Sequence, residues 1–125
     1  MKNDRRLRRL VVDGVTWHWT VRRRVRPVYA DCRTVLTLFA PAAAGGPGRR
    51  RRLSLVFAPT PTGVISNCWF ESGTVIRLPD RQWLNLYEPR AVRRLLRAAT
   101  PALRSAPPHQ DVELDGWPCF TTVVG

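Results

Sequence analysis

The clearest signal along the chain is a two-residue rhythm. Val15, Trp17, Trp19, Val21 and Val25 fall on one side of an extended segment, and Thr16, His18, Thr20, Arg22, Arg24 and Arg26 fall on the other. Alternation over this length predicts a half-buried antiparallel strand, apolar inward and polar outward. Arg23 breaks the pattern, which predicts a bulge or the strand's departure from the sheet there. Upstream, Leu10-Val11-Val12 followed by Asp13-Gly14 predicts a strand and a hairpin turn. Asp-Gly supplies the positive φ angles that two-residue turns require.

Pro27 interrupts the pattern, and Cys32 to Phe39 predicts a third strand. Ala40 to Gly48, all small residues, glycine and proline, predicts a hairpin loop. Leu53-Ser54-Leu55-Val56-Phe57 predicts a fourth strand with Leu53, Leu55 and Phe57 inward, followed by a turn at Pro59 to Gly63 and a short strand at Val64 to Ser66. Asn67 to Gly73 reads as a loop that plants Cys68, Trp69 and Phe70 at the edge of the core. Thr74 to Leu78 and Trp83 to Tyr87 flank Pro79-Asp80-Arg81-Gln82 and predict a second hairpin.

The period then changes. Val92, Leu95, Leu96, Ala99 and Leu103 recur at three- and four-residue spacing, which predicts one amphipathic helix opened by Glu88 and Pro89. Pro101 is expected to end or kink it, and Pro107-Pro108 to bar its continuation. Val112-Glu113-Leu114, Asp115-Gly116 and Trp117 to Val124 predict a last strand or hairpin. Together these elements predict one α+β domain, a twisted, mainly antiparallel sheet of about six to eight strands with one helix packed on a face. Residues 1–9 are expected to form a flexible basic arm.

A chain of 125 residues, 44% hydrophobic and 24% charged, suits one hydrophobic core. This balance excludes a multidomain enzyme, a disulfide scaffold and a collagen-like chain. Charge changes the picture more. The formal net charge is +12, and all but one of the 21 basic residues are arginine. Residues 1–52 hold 14 basic residues against three acids, a net of +11, whereas residues 53–125 carry only +1. Concentrated positive charge attracts polyanions: nucleic acid, anionic lipid or an acidic protein.

Other chemistry has little support in the residues. Cys32, Cys68 and Cys119 are far apart, and the only histidines are His18 and His109. No zinc spacing results, so no metal or cofactor is expected, and the thiols read as reduced and mostly buried. The basic start leads only into Leu10-Val11-Val12 before Asp13, too short an apolar stretch for a secretory or twin-arginine signal. A cytoplasmic setting without a membrane span is therefore expected. Gly45-Gly46-Pro47-Gly48 lacks the Lys-Ser/Thr of a phosphate loop. No helix-turn-helix, zinc-finger, zipper or RNA-recognition signature is present either.

Thr74 to Pro89, running into Val92-Arg93-Arg94-Leu95-Leu96, resembles a pattern found in small arginine-rich proteins of high-GC actinobacteria. Val12-Asp13-Gly14 with Trp17, and Asp115-Gly116-Trp117, are similar to that group too. The resemblance covers about half the chain. It implies a bacterial cytosolic setting, and no activity is assigned to the group.

The expected function is binding without catalysis. Arg22, Arg24 and Arg26 share a strand face, and Arg33, Arg49, Arg50, Arg51 and Arg52 come from strands expected nearby. These side chains, with Arg5, Arg6, Arg8 and Arg9 of the arm, are the expected contacts to a polyanion, nucleic acid foremost. The guanidinium fork matches phosphate geometry. The alternative is a protein-interaction module, of adaptor or immunity type, binding an acidic partner. It would use Trp69, Trp83, Tyr87 and the helix arginines Arg90, Arg93, Arg94 and Arg97. Asp111, Glu113 and Asp115 alternate; on a strand they would form either a cation site, or an exposed edge, or partners for some arginines.

Overall fold

A computed structural model describes residues 7–40, 51–65, 73–107 and 110–125. The fold is α+β, with eight strands and two α-helices among the described residues. The strands divide into two sheets. A five-stranded sheet has the order β1-β2-β3-β4-β8, and a three-stranded sheet has the order β5-β6-β7.

The large sheet begins largely as the sequence pattern predicts, except that Val15 and Val25, expected inward, are exposed, and β2 ends at Arg24 before Val25. β1 (Arg8–Val12) and β2 (Val15–Arg24) form a hairpin around Asp13 and Gly14, both at positive φ. β1 starts at Arg8, so Arg8 and Arg9 belong to the sheet and not to the arm expected over residues 1–9. Arg5 and Arg6 lie outside the described residues. β2 pairs with β3 (Arg33–Ala40) in unbroken register from His18↔Phe39 to Arg24↔Arg33. Arg23, opposite Thr34, therefore causes no bulge. β3 pairs with β4 (Arg51–Phe57), also antiparallel.

The small sheet holds β5 (Gly63–Ile65), β6 (Thr74–Arg77) and β7 (Gln82–Asn85). Helix α1 spans Pro89–Ser105 with Pro89 in its first turn, and it continues through Pro101 instead of stopping there. Pro101 costs the helix the hydrogen bond to the carbonyl four residues back and crowds that carbonyl with its ring, and the buried stripe on both sides of it holds the helix together. The chain then returns to the far edge of the large sheet as β8 (Val112–Asp115), which runs parallel to β4.

The segment after β8 departs from the sequence expectation. Gly116–Val124 is a second helix, α2, and not a strand. The Asp115 carboxylate accepts from the Trp117 backbone N–H and caps it. Thr121, Thr122, Val123 and Val124 favour strands by propensity, but packing of Cys119 and Phe120 into the core decides the outcome. Gly116 has no space for a side chain, since a Cβ there would lie 2.5 Å from the Phe57 ring.

One core joins these parts. Trp19, Val21, Leu36, Leu38, Leu53, Leu55 and Phe57 of the large sheet meet Ile65, Val75, Leu84 and Leu86 of the small sheet and its connections. Val92, Leu95, Leu96 and Leu103 of α1 and Phe120 of α2 complete it. α2 touches β4, β7 and α1, and Trp117 packs edge-on to Phe57 at 5.2 Å. Both helices thus sit on one face of the large sheet. Among the described residues, no helix is long and apolar enough to cross a membrane.

Candidate functional site

Strand alternation sends every second residue of the large sheet away from that core. On β2 these are His18, Thr20, Arg22 and Arg24; on β3, Arg33, Val35, Thr37 and Phe39; on β4, Arg52, Ser54 and Val56. Glu113 of β8 stands in register with Ser54. The registers set transverse rows across this face: His18–Phe39–Arg52, Thr20–Thr37–Ser54–Glu113, Arg22–Val35–Val56 and Arg24–Arg33.

A groove of about 540 Å³ opens on this face. Arg22, Arg24, Arg26, Arg33 and Arg52 line it, as does Arg23 from the strand end. Val35 and Val56 form an apolar floor, and Thr37 and Ser54 supply hydroxyls. Glu113 is the one carboxylate among these lining residues.

The arginines are positioned in different ways. Arg24 is directly opposite Arg33, so two like charges occupy a cross-strand pair, an arrangement that opposes folding. The Arg33 guanidinium donates to the carbonyls of Ala30 and Cys32 at 2.8 and 2.7 Å. Arg26 sits on the connection after β2. Its backbone N–H donates to the Cys32 thiol, whose single hydrogen lies within reach of the Arg26 and Val28 carbonyls. Arg52 lies over the Phe39 ring at 5.9 Å and 3.8 Å from Asp111, whose carboxylate also accepts from the Arg52 backbone N–H. No carboxylate of the described residues lies within ion-pair distance of Arg22, Arg24 or Arg26.

Several residues expected at the site are elsewhere. Arg51 points to the opposite face, where its guanidinium donates to the carbonyls of Leu103, Ala106 and Gln110 and satisfies the end of α1. Its parity with Leu53 and Leu55 accounts for this. Arg8 also faces inward, stacked 5.6 Å from the Trp19 ring and 5.5 Å from the Tyr87 ring. Arg9, opposite His18, does face outward. Arg49, Arg50 and Trp69 lie outside the described residues.

The expected aromatic patch is not assembled among the described residues. Tyr87 is half-buried beneath Arg8 and beside Gly73, whereas Trp83 is 59% exposed on the small sheet. Arg90, Arg93, Arg94 and Arg97 belong to α1, on the side of the large sheet away from the groove. Arg97 is 3.8 Å from Asp13 in an exposed pair.

The three alternating acids separate by role. Asp111 meets Arg52, Asp115 caps α2 and Glu113 enters the groove. Thr37, Ser54, Val35 and Val56 were not singled out from sequence, although the alternation of Leu36 with Leu38 and of Leu53 with Leu55 already placed them outward. Burial, and secondarily the charge of Asp115, push the Cys119 thiol upward, so it stays protonated.

No protein-family model matches this chain, and comparison with curated proteins and with solved structures finds no significant match.

Proposed function

We propose that this protein binds nucleic acid without catalysis, along the open face of the five-stranded sheet. One observation carries the reading. Arg22, Arg24, Arg26, Arg33 and Arg52 ring a single groove, and Arg24 opposes Arg33 with no acid between them. Like charges held together in this way destabilise the free protein, and a phosphate seated between them reverses the sign of the interaction. The valine floor and flanking hydroxyls admit the less charged parts of such a ligand.

The test is a fluorescence-anisotropy titration with a labelled oligonucleotide at about 50 and 200 mM salt. Affinity is expected to fall steeply between the two, because neutralised phosphates release counterions. Replacing Arg22, Arg24 and Arg26 with serine is expected to weaken binding at least tenfold and flatten the salt slope by roughly 2, three phosphate contacts at about 0.7 each on a single strand. Unchanged affinity in a folded triple variant would falsify the assignment of this face.

A second reading, docking of an acidic protein, draws on Trp83. Its cross-strand neighbours Ile76 and Val64 extend it into an apolar row across the small sheet. Binding that survives 200 mM salt and is lost in Trp83→Ala would favour that reading.

A further inference from the structure

We propose that the groove reads ribose as well as phosphate, and that its ligand is single-stranded RNA in preference to DNA. The inference rests on the nucleic-acid reading above and adds the row Thr37–Ser54–Glu113.

Glu113 is the feature a plain phosphate site would omit. It lines the same groove as six arginines, and no salt bridge joins it to any described arginine. It therefore does not neutralise them in pairs, as Asp111 does for Arg52. An ionised carboxylate only accepts hydrogen bonds, and it repels a phosphate placed against it. It is favourable toward a ligand that brings a donor to that end of the groove. The ribose 2′-hydroxyl is such a donor, and DNA lacks it. Acceptance of a ribose hydroxyl by a carboxylate is established chemistry in nucleotide-binding sites.

The rest of the row suits the same ligand. Thr37 and Ser54, in adjacent strands beside Glu113, carry hydroxyls that donate to phosphate oxygens or accept from sugar hydroxyls. Thr20, directly opposite Thr37, is 3% exposed and does not line the groove, so the ligand-facing hydroxyls of this row are those of Thr37 and Ser54. Strand spacing of about 4.8 Å puts the β2 arginines about 14 Å from Glu113, so phosphate and sugar contacts are separated across the sheet. His18 and the Arg52 guanidinium stacked on Phe39 border the row and offer planar surfaces to unstacked bases. Planar side chains beside an apolar floor suit the unstacked bases of a single strand, whereas a duplex keeps its bases paired inside.

The experiment compares one 12-nucleotide sequence as RNA, as DNA and as 2′-O-methyl RNA, by anisotropy, on the wild-type chain, Glu113→Ala and Glu113→Gln. Glu113 is exposed on an edge strand, and circular dichroism verifies folding of both variants. RNA is expected to bind roughly fivefold tighter than DNA, with the 2′-O-methyl form falling to the DNA level because its donor is gone. In Glu113→Ala, DNA binding tightens while the RNA-to-DNA ratio falls to about 1. Glu113→Gln retains an acceptor oxygen and part of the preference. Equal wild-type affinity for RNA and DNA, or a ratio unchanged in Glu113→Ala, overturns the inference and leaves the nucleic-acid reading standing. Absence of binding to all three oligonucleotides overturns both.

Discussion

Arg51 and Arg52 are neighbours in sequence and opposites in use. Arg51 turns inward and gives its donors to the carbonyls that end α1 and to Gln110; Arg52 turns outward, lies over Phe39 and lines the groove. The contrast extends over the whole large sheet. Inward-facing Arg8 is stacked on Trp19 and Tyr87, whereas outward-facing Arg22 and Arg24 have no carboxylate partner among the described residues. Arginine content alone therefore says little about function. The parity of each arginine in its strand decides which face it occupies, and its neighbours there decide whether it is partnered, as Arg33 and Arg52 are, or not, as Arg22 and Arg24 are among the described residues.

The comparison breaks first if the inward face does not dominate stability. Leu55→Ala removes a fully buried side chain and is expected to cost about 2–5 kcal/mol in chemical denaturation. Next is Arg51→Ala, which removes a side-chain donor from the Leu103, Ala106 and Gln110 carbonyls. A loss of about 1–3 kcal/mol is expected, with oligonucleotide affinity unchanged. The outward serine triple at Arg22, Arg24 and Arg26 should show the reverse: stability within about 1 kcal/mol of wild type, since relief at Arg24–Arg33 offsets other changes, and binding largely lost. If Arg51→Ala abolished binding as completely as the triple, the division by face would fail.

The smallest effect concerns the turn of the small sheet. The Arg77 guanidinium, 2.6 Å from Asp80, holds that carboxyl below its ordinary value of 3.8, chiefly through the hydrogen bond between them. A depressed folded-state value contributes stability above the unfolded pKa, and that stability is lost as pH falls through the folded value. Asp80→Asn should therefore be slightly less stable than wild type at neutral pH, with the difference closing as pH falls below about 4. Denaturation midpoints at pH 7 and pH 3 measure this, and equal pH dependence in the two proteins would remove the pair from the account.

Sequence was most legible where one strand carried its own instructions. The run from Val15 to Arg24 announced its faces through alternation, Asp13-Gly14 announced its turn, and the stripe from Val92 to Leu103 announced α1. At Arg51 and Arg52 the signal was present in the phase of Leu53 and Leu55, but a run of like residues obscured it. At the C-terminal helix two local signals competed. Asp115 before Gly116, with Pro118 in the first turn, marked a helix start, and the β-branched residues after Phe120 marked a strand.

The local pattern by itself determined which residues turn inward on the central part of β2 and on β4, where the β1–β2 turn lies, and that Arg22 and Arg24 share a face. Tertiary structure alone decided that eight strands separate into two sheets, that β8 enters parallel beside β4, and that Glu113 joins arginines nearly ninety positions away in sequence. The physical reason is that alternation is set by backbone geometry within a few residues. A choice of strand partner depends on loop closure and on the burial that the completed core rewards, and neither is encoded at any single position.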